Sequence, residues 1–322
     1  MQGIYSTVQA MVRYNNETSN KFDCPQGVKQ GCLLSPLIFS LMITEVATRV
    51  AEFGRAGYQF ITNSREIFSL LFADDIVLVA RTPAGLQNQI NNLKLASENI
   101  GLMVNLDKTK IMVCRKGGYL SNREKWYYGR EKIEVVNSYK YLGYTITTKL
   151  STDMSLAEYA GRAKNKVITI FKTLFKLGHL DTKVFFKLFD SQVKPMLLYA
   201  AEVWGHTQST IVEKVHMYAC KRLLGVSQKT PNILIYGELN RYPLYIDSII
   251  KTLKYWFKLI QLEEDRIPKL AYNKELNELE KRMGWGKTVK NILETNGCAN
   301  VWLDQGVGDP MRYIKMFKQR LA

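Results

Sequence analysis

Residues 69 to 80 read Ser-Leu-Leu-Phe-Ala-Asp-Asp-Ile-Val-Leu-Val-Ala, two adjacent carboxylates set between β-favouring apolar runs. Burying an ionised carboxylate in an apolar sheet is costly unless a partner or a cation compensates it. Asp74 and Asp75 therefore mark either a solvated turn or a cation site. In an unbroken strand the two side chains would point to opposite faces and could not share one ion. A tight turn at Ala73-Asp74 removes that conflict, and Ile67 to Phe72 and Ile76 to Ala80 have the right length for its two arms. On these residues alone, both readings stay open.

The rest of the composition narrows the setting. With 322 residues and 46% hydrophobic content, the chain can bury one large core or two ordinary ones. No run approaches the roughly 18 consecutive apolar residues of a membrane span. Met1 to Asn16 lacks the basic start and apolar centre of a signal peptide, so the expectation is an intracellular protein, nuclear or cytoplasmic, with no membrane partner. Cys24, Cys32, Cys114, Cys220 and Cys298 are scattered and never form a C-x-x-C pair, and His179, His206 and His216 stand apart from them. That pattern fits a reducing compartment and argues against zinc; a metal here should be hard and oxygen-bound. The net charge of +16 points to an anionic partner, nucleic acid first.

The chain changes character once. Up to about residue 147 it mixes short β-rich runs with helices. Arg13 to Cys24 reads as a hairpin around Asn15-Asn16, followed by a loop with Pro25, Gly27 and Gly31. Ser35-Pro36 supplies an N-cap and a proline for the first helical position of a helix running from Leu37 to Phe53. Thr82-Pro83 opens another, with Leu86, Ile90, Leu93 and Ile100 as its apolar stripe and Gly101 as its stop. Lys108 to Val113 and Lys132 to Val136 read as strands, the second pairing with Tyr139 to Ile146, and Arg115 to Arg130 reads as an exposed loop. Beyond residue 147 the pattern is helical. One stripe runs through Ala163, Val167, Ile170, Phe171 and Leu174, and Asp181-Thr182 begins a helix that Pro195 ends or kinks. Further helices are expected across residues 211–224, 243–262, 268–283 and 288–295. Tyr199, Trp204, Tyr255, Trp256 and Phe257 read as helix-packing core.

Four segments in order give the acidic pair a context. They are Gly27-Val28-Lys29-Gln30-Gly31-Cys32-Leu33-Leu34-Ser35-Pro36-Leu37-Ile38-Phe39, then Phe72-Ala73-Asp74-Asp75, then Gly101 to Thr109, then Tyr141-Leu142-Gly143. In this order and spacing the sequence resembles the palm of reverse transcriptases, RNA-directed DNA polymerases, of the non-LTR (LINE-like) retrotransposon type. Residues 189–205, 221–225 and 238–244 resemble the thumb that follows that palm.

The resemblance implies an α+β fold: a polymerase-type palm with a small antiparallel sheet and helices over residues 1–147, a helical thumb over 148–230 and a helical C-terminal region over 231–322. It implies a nucleotidyltransferase that extends a DNA primer on an RNA template from dNTP, using two divalent ions, Mg2+ or Mn2+. Asp74 would be the principal metal ligand, with Asp75 beside it, and Lys108 would protonate or neutralise the departing pyrophosphate. Gln30 and Gly31 would lie against the templating base and incoming nucleotide, while Tyr141, Leu142 and Gly143 would form the primer grip. Lys164, Lys166 and Lys172 on the thumb stripe would be available to duplex phosphates.

The family's palm also uses an upstream Asp, and its fingers bind the triphosphate. Before Gly27 the acidic residues are Glu17 and Asp23, neither in such a motif. The expectation is thus an N-terminally truncated fragment of a retroelement polyprotein, catalytically incomplete as this chain, whose partners include other parts of the same polyprotein. The alternative is a non-catalytic nucleic-acid-binding remnant of such an element; a maturase-like splicing factor is a third reading.

Overall fold

The computed structural model describes residues 8–24, 27–29, 31–53, 58–59, 66–115, 124–178, 180–278 and 284–321. Two compact units are present, one comprising Met1–Ile111 with Tyr119–Val135 and the other Met112–Gly118 with Val136–Ala322. The architecture is α+β, with short two-stranded ladders in the N-terminal part and helices dominating the remainder.

The first unit opens with a hairpin. Strands β1 (Gln9–Ala10), β2 (Arg13–Tyr14), β3 (Glu17–Thr18) and β4 (Phe22–Asp23) pair β2 with β3 and β1 with β4, all antiparallel. Asn15 and Asn16 at its tip have φ of 45° and 66°, the left-handed pair that a tight hairpin turn needs and that asparagine tolerates. Helix α1 (Ser35–Phe53) buries Ile43, Val46 and Val50 and leaves Leu37 and Leu41 exposed. The Ser35 hydroxyl donates to the Lys29 carbonyl at 2.7 Å, tying the helix start back onto the glycine loop.

Strands β5 (Tyr58–Gln59) and β6 (Glu66–Ile67) pair briefly. Next come β7 (Ser69–Phe72) and β8 (Asp75–Leu78), an antiparallel hairpin, and helix α2 (Pro83–Asn99). Thr82 caps α2 by accepting from the Gly85 N–H, and Gly101 ends it at φ 72°. Val46 and Val50 from α1 meet Leu93 and Ala96 from α2, and Ile76 and Leu78 of β8 pack against them.

Two expectations are corrected between residues 115 and 147. Within the stretch read as an exposed loop, Trp126 is buried, and its indole donates to the Pro83 carbonyl at 3.0 Å. Together β9 (Lys110–Ile111), β10 (Tyr127–Tyr128), β11 (Glu131–Lys132) and β12 (Glu134–Val135) make a β10–β11 hairpin and a parallel β9–β12 ladder. Residues 139–146, expected to pair with Lys132 to Val136, instead fold back on themselves as β13 (Ser138–Tyr141) and β14 (Tyr144–Thr147). A two-residue turn at Leu142-Gly143 pairs adjacent segments, the shortest loop closure available.

The second unit is built on that hairpin and a run of helices. Helix α3 (Asp153–Lys176) buries Leu156, Ala160, Ala163, Val167, Ile170, Phe171 and Leu174, the expected stripe extended by two turns. Asp181 caps α4 (Thr182–Leu188), accepting from the Lys183 and Val184 N–H groups at 2.6 and 2.9 Å. A π-helical turn at Phe189–Val193 then leads into α5 (Lys194–Leu197), where Pro195 has no N–H to continue the α ladder. Short α6 (Ala201–Trp204), α7 (Thr210–Leu223) and α8 (Asn232–Leu239) complete one core.

A second core gathers α9 (Leu244–Ile260), α10 (Ile267–Asn277), α11 (Trp285–Thr295), α12 (Ala299–Leu303) and α13 (Pro310–Leu321). There Trp256 stacks on Trp302 at 5.7 Å, and its indole donates to the Tyr272 hydroxyl at 2.8 Å. Trp204, Trp256 and Phe257 are core as expected, but Tyr199 is 40% exposed, for a reason that belongs to the site. No helix among the described residues is long and apolar enough to cross a membrane.

Candidate functional site

The β7–β8 hairpin resolves the conflict posed by the two carboxylates. Phe72 pairs with Asp75, leaving Ala73 and Asp74 as a two-residue turn. Asp74 occupies the turn and Asp75 opens β8, both exposed. Ala73 sits at φ 51°, a left-handed conformation that its methyl disfavours. The base of the hairpin is fixed from within: Ile76 and Leu78 face the α1–α2 core, the Val79 N–H donates to the Phe68 carbonyl at 2.8 Å, and buried Gln89 donates to the Val79 carbonyl at 3.1 Å. An apolar base thus presents an acidic tip to solvent.

The donor chemistry at that tip is all oxygen, suited to a hard divalent cation. Among the described residues, however, no group of three His, Cys, Asp or Glu side chains is placed to hold a metal. The tip supplies the right kind of ligand, in smaller number than a closed site requires.

Other residues singled out from the sequence fall as follows. Gln30 lies outside the described residues. Gly31 is at φ 82° and Gly27 at φ 86°, with open space around both, so the loop before α1 leaves its backbone approachable. Lys108 is exposed in a turn after α2, its N–H donating to the Asn105 side chain at 3.1 Å. Lys164 and Lys172 are exposed on α3, and Lys166 is half-buried.

Tyr141-Leu142-Gly143 lies in the second unit at the β13–β14 tip, with Leu142 at φ 48° and Gly143 at φ 81°. Two side chains that sequence reading missed hold this turn. The Tyr199 hydroxyl donates to the Leu142 carbonyl at 2.5 Å, and the Tyr159 hydroxyl from α3 donates to the Gly143 carbonyl at 2.7 Å. Their rings lie 5.1 Å apart, centroid to centroid. That is why Tyr199 is a surface residue: its hydroxyl serves the turn, where a core tyrosine would face inward. Tyr159 is flagged in the sequence only as a tyrosine flanking the α3 stripe, and nothing local names its partner.

Below the turn the hairpin is bolted to α3. Ser155 exchanges hydrogen bonds with the Thr145 backbone, both at 2.8 Å, and Lys140 pairs with Glu158. The Lys140 ammonium holds the Glu158 carboxyl below its ordinary range, with Thr145 and Arg162 assisting. Burial pushes the Tyr159 phenol up, and the neighbouring Tyr199 adds to it, so this hydroxyl stays protonated and able to donate.

Residues 2–146 match the family described as reverse transcriptase (RNA-dependent DNA polymerase). A transposon-derived protein of Caenorhabditis elegans is 30% identical over 178 residues, 51% of this chain and 59% of its own length. The Pol polyprotein of the R2 retrotransposable element of Popillia japonica is 27% identical over 204 residues, 61% of this chain and 32% of its own length. The RNA-directed DNA polymerase from the mobile element jockey of Drosophila melanogaster is 21% identical over 210 residues, 62% of this chain and 22% of its own length. The chain thus spans less than two thirds of each of these relatives.

Proposed function

Since residues 2–146 belong to the reverse transcriptase family, of the non-LTR, LINE-like kind, we propose that this chain is the palm, thumb and C-terminal part of a retroelement RNA-directed DNA polymerase. The observation that carries the reading is the β7–β8 tip, where a two-residue turn on an apolar base presents Asp74 and Asp75 together to solvent, inside the segment that matches the family. The family uses divalent metal ions, and here Mg2+ or Mn2+ would be held by Asp74 with Asp75 adjacent. Bound there, a divalent ion would supply positive charge to the attacking primer hydroxyl and the leaving pyrophosphate.

The chain's own residues would do the rest. Lys108, exposed on its turn, offers a proton and a charge to the departing pyrophosphate. Gly31, on the loop before α1, and Gln30, by its place in the motif, would meet the templating base and incoming nucleotide. The turn at Tyr141 to Gly143 supports the primer end. The net charge of +16 suits a template–primer duplex, whose phosphates would repay contact with the basic surface. In this reading residues 1–147 are palm, 148–230 thumb and 231–322 an additional helical region.

A second reading follows from the small donor set at the tip. With no third ligating side chain grouped with Asp74 and Asp75 among the described residues, a nucleic-acid-binding protein without polymerase activity is the alternative. Primer extension on an RNA template with Mg2+, run beside binding of the same duplex, separates the two. Extension that disappears in Asp74→Ala supports the polymerase. Binding without extension supports the second reading, and failure to bind at moderate salt removes both.

A further inference from the structure

Two consecutive left-handed residues, one of them a leucine, make the β13–β14 tip costly to hold in a single conformation. The Leu142–Gly143 peptide is the central peptide of that turn, the one whose flip interconverts hairpin turn types. Tyr199 bonds its carbonyl and Tyr159 bonds the next, so neither peptide can rotate without breaking a hydrogen bond. All described peptides are trans, so fixing the Leu142 carbonyl toward Tyr199 aims the Gly143 N–H the opposite way. The tyrosines also leave little room: a Cβ on Gly143 would lie 3.2 Å from the Tyr159 hydroxyl. The Ser155–Thr145 and Lys140–Glu158 contacts already fasten the strands to α3, so the fold does not need these two hydroxyls to seat the hairpin.

We propose that Tyr159 and Tyr199 are positioning residues that lock the Leu142-Gly143 turn in the conformation that meets the primer terminus. This rests on the reading of that turn as the site of the primer end. Tyr159 and Tyr199 act through the turn's peptides and need not touch nucleic acid.

The test uses the full chain and an RNA template annealed to a DNA primer with 2-aminopurine at its 3′ end and a second dye at its 5′ end. Anisotropy of the 5′ dye reports overall binding, and 2-aminopurine fluorescence reports the terminus. Tyr159→Phe with Tyr199→Phe keeps both rings and removes both hydroxyls. The expected result is overall affinity within about twofold of the parent, an unchanged far-ultraviolet spectrum and at least a fivefold loss of the 3′-end signal; if the double variant folds poorly, Tyr199→Phe alone is scored the same way. Leu142→Asp, which tolerates the left-handed conformation while adding a negative charge, should also abolish the 3′-end signal. A full 3′-end signal in the tyrosine variants alongside its loss in Leu142→Asp overturns the positioning role alone. A full signal in Leu142→Asp overturns the primer-end reading and the proposal with it.

Discussion

Arg241 donates to Asp190 through its two terminal guanidinium nitrogens, Nη1 and Nη2, at 2.8 and 2.7 Å, while lying 4.4 Å from the centroid of the Phe186 ring. The pair joins the loop after α8 to the π-helical turn, so it links two segments 51 residues apart. Arg241→Ala is expected to destabilise the second unit by about 1–3 kcal/mol. That is less than a fully buried pair would lose, because the Asp190 side chain remains 39% exposed and solvent screens it. Arg241→Lys should recover little, since an ammonium cannot form the two-pronged bond or lie flat on the ring. Urea denaturation of the three proteins checks this; full recovery with lysine would refute it.

Acid should unfold the second unit through two partly buried carboxylates. Burial pushes Asp247 up, but Lys194 and Lys318 outweigh it and leave the carboxyl below its ordinary value. Burial likewise pushes Glu213 up, and His216, the Tyr236 hydroxyl and the Leu244 N–H outweigh it to leave it lowered. A carboxyl lowered in the folded state binds fewer protons there than in the unfolded chain. Its contribution is therefore complete above the unfolded pKa, about 4, and is lost as pH falls through the folded value. Melting temperature should be flat from pH 7 to about 5 and fall steeply below. In Glu213→Gln with Asp247→Asn the plateau should lie lower and the acid limb should flatten; an equally steep limb would sink the assignment.

How much of this was legible beforehand depended on the range of the forces involved. The Ala73-Asp74 turn, the Asn15-Asn16 hairpin, the Thr82 and Asp181 caps and the α3 stripe are written in residues a few positions apart, so local pattern sufficed. Trp126 could not be placed, because the carbonyl it bonds is Pro83, 43 residues earlier, and its neighbours are polar. The β9–β12 parallel ladder was missed for the same reason, since its partners lie on either side of a long connection. Tyr199 was read as core because its flanking residues are apolar; its true partner, Leu142, is 57 residues away.

Gly205 is a packing glycine, and the dihedral is not the reason. A Cβ there would stand 2.3 Å from the Ala201 carbonyl oxygen and 2.6 Å from that of Ser248, both backbone atoms that cannot swing aside. The same contact is stitched by the Ser248 hydroxyl to the Gly205 carbonyl at 2.8 Å and by the Thr252 hydroxyl to the Ala201 carbonyl at 3.1 Å. Gly205→Ala must push α6 off α9 and is expected to cost about 3 kcal/mol or more, at the upper end of overpacking substitutions. Gly161→Ala, on the open face of α3, should gain stability by up to about 1 kcal/mol from helix propensity. Equal melting temperatures for the two variants would contradict this account.

The acidic tip carries its own strain, and that strain can be removed without touching a carboxylate. Ala73 is held at φ 51°, where an L side chain costs roughly 1–2 kcal/mol relative to glycine. Ala73→Gly relieves that cost but returns about 0.4–1 kcal/mol as added freedom of the unfolded chain. The net expectation is a hairpin more stable by roughly 0.5–1 kcal/mol. Because the two units need not melt together, the measurement is hydrogen exchange at the amides of Val77 and Val79, which face Leu70 and Phe68 in the hydrogen-bonded pairs of the hairpin. Protection should rise by a factor of about two to five in Ala73→Gly and fall in Ala73→Val, whose branched side chain suits the left-handed region least. Slower exchange in the valine variant would show that the turn is not held in the conformation described.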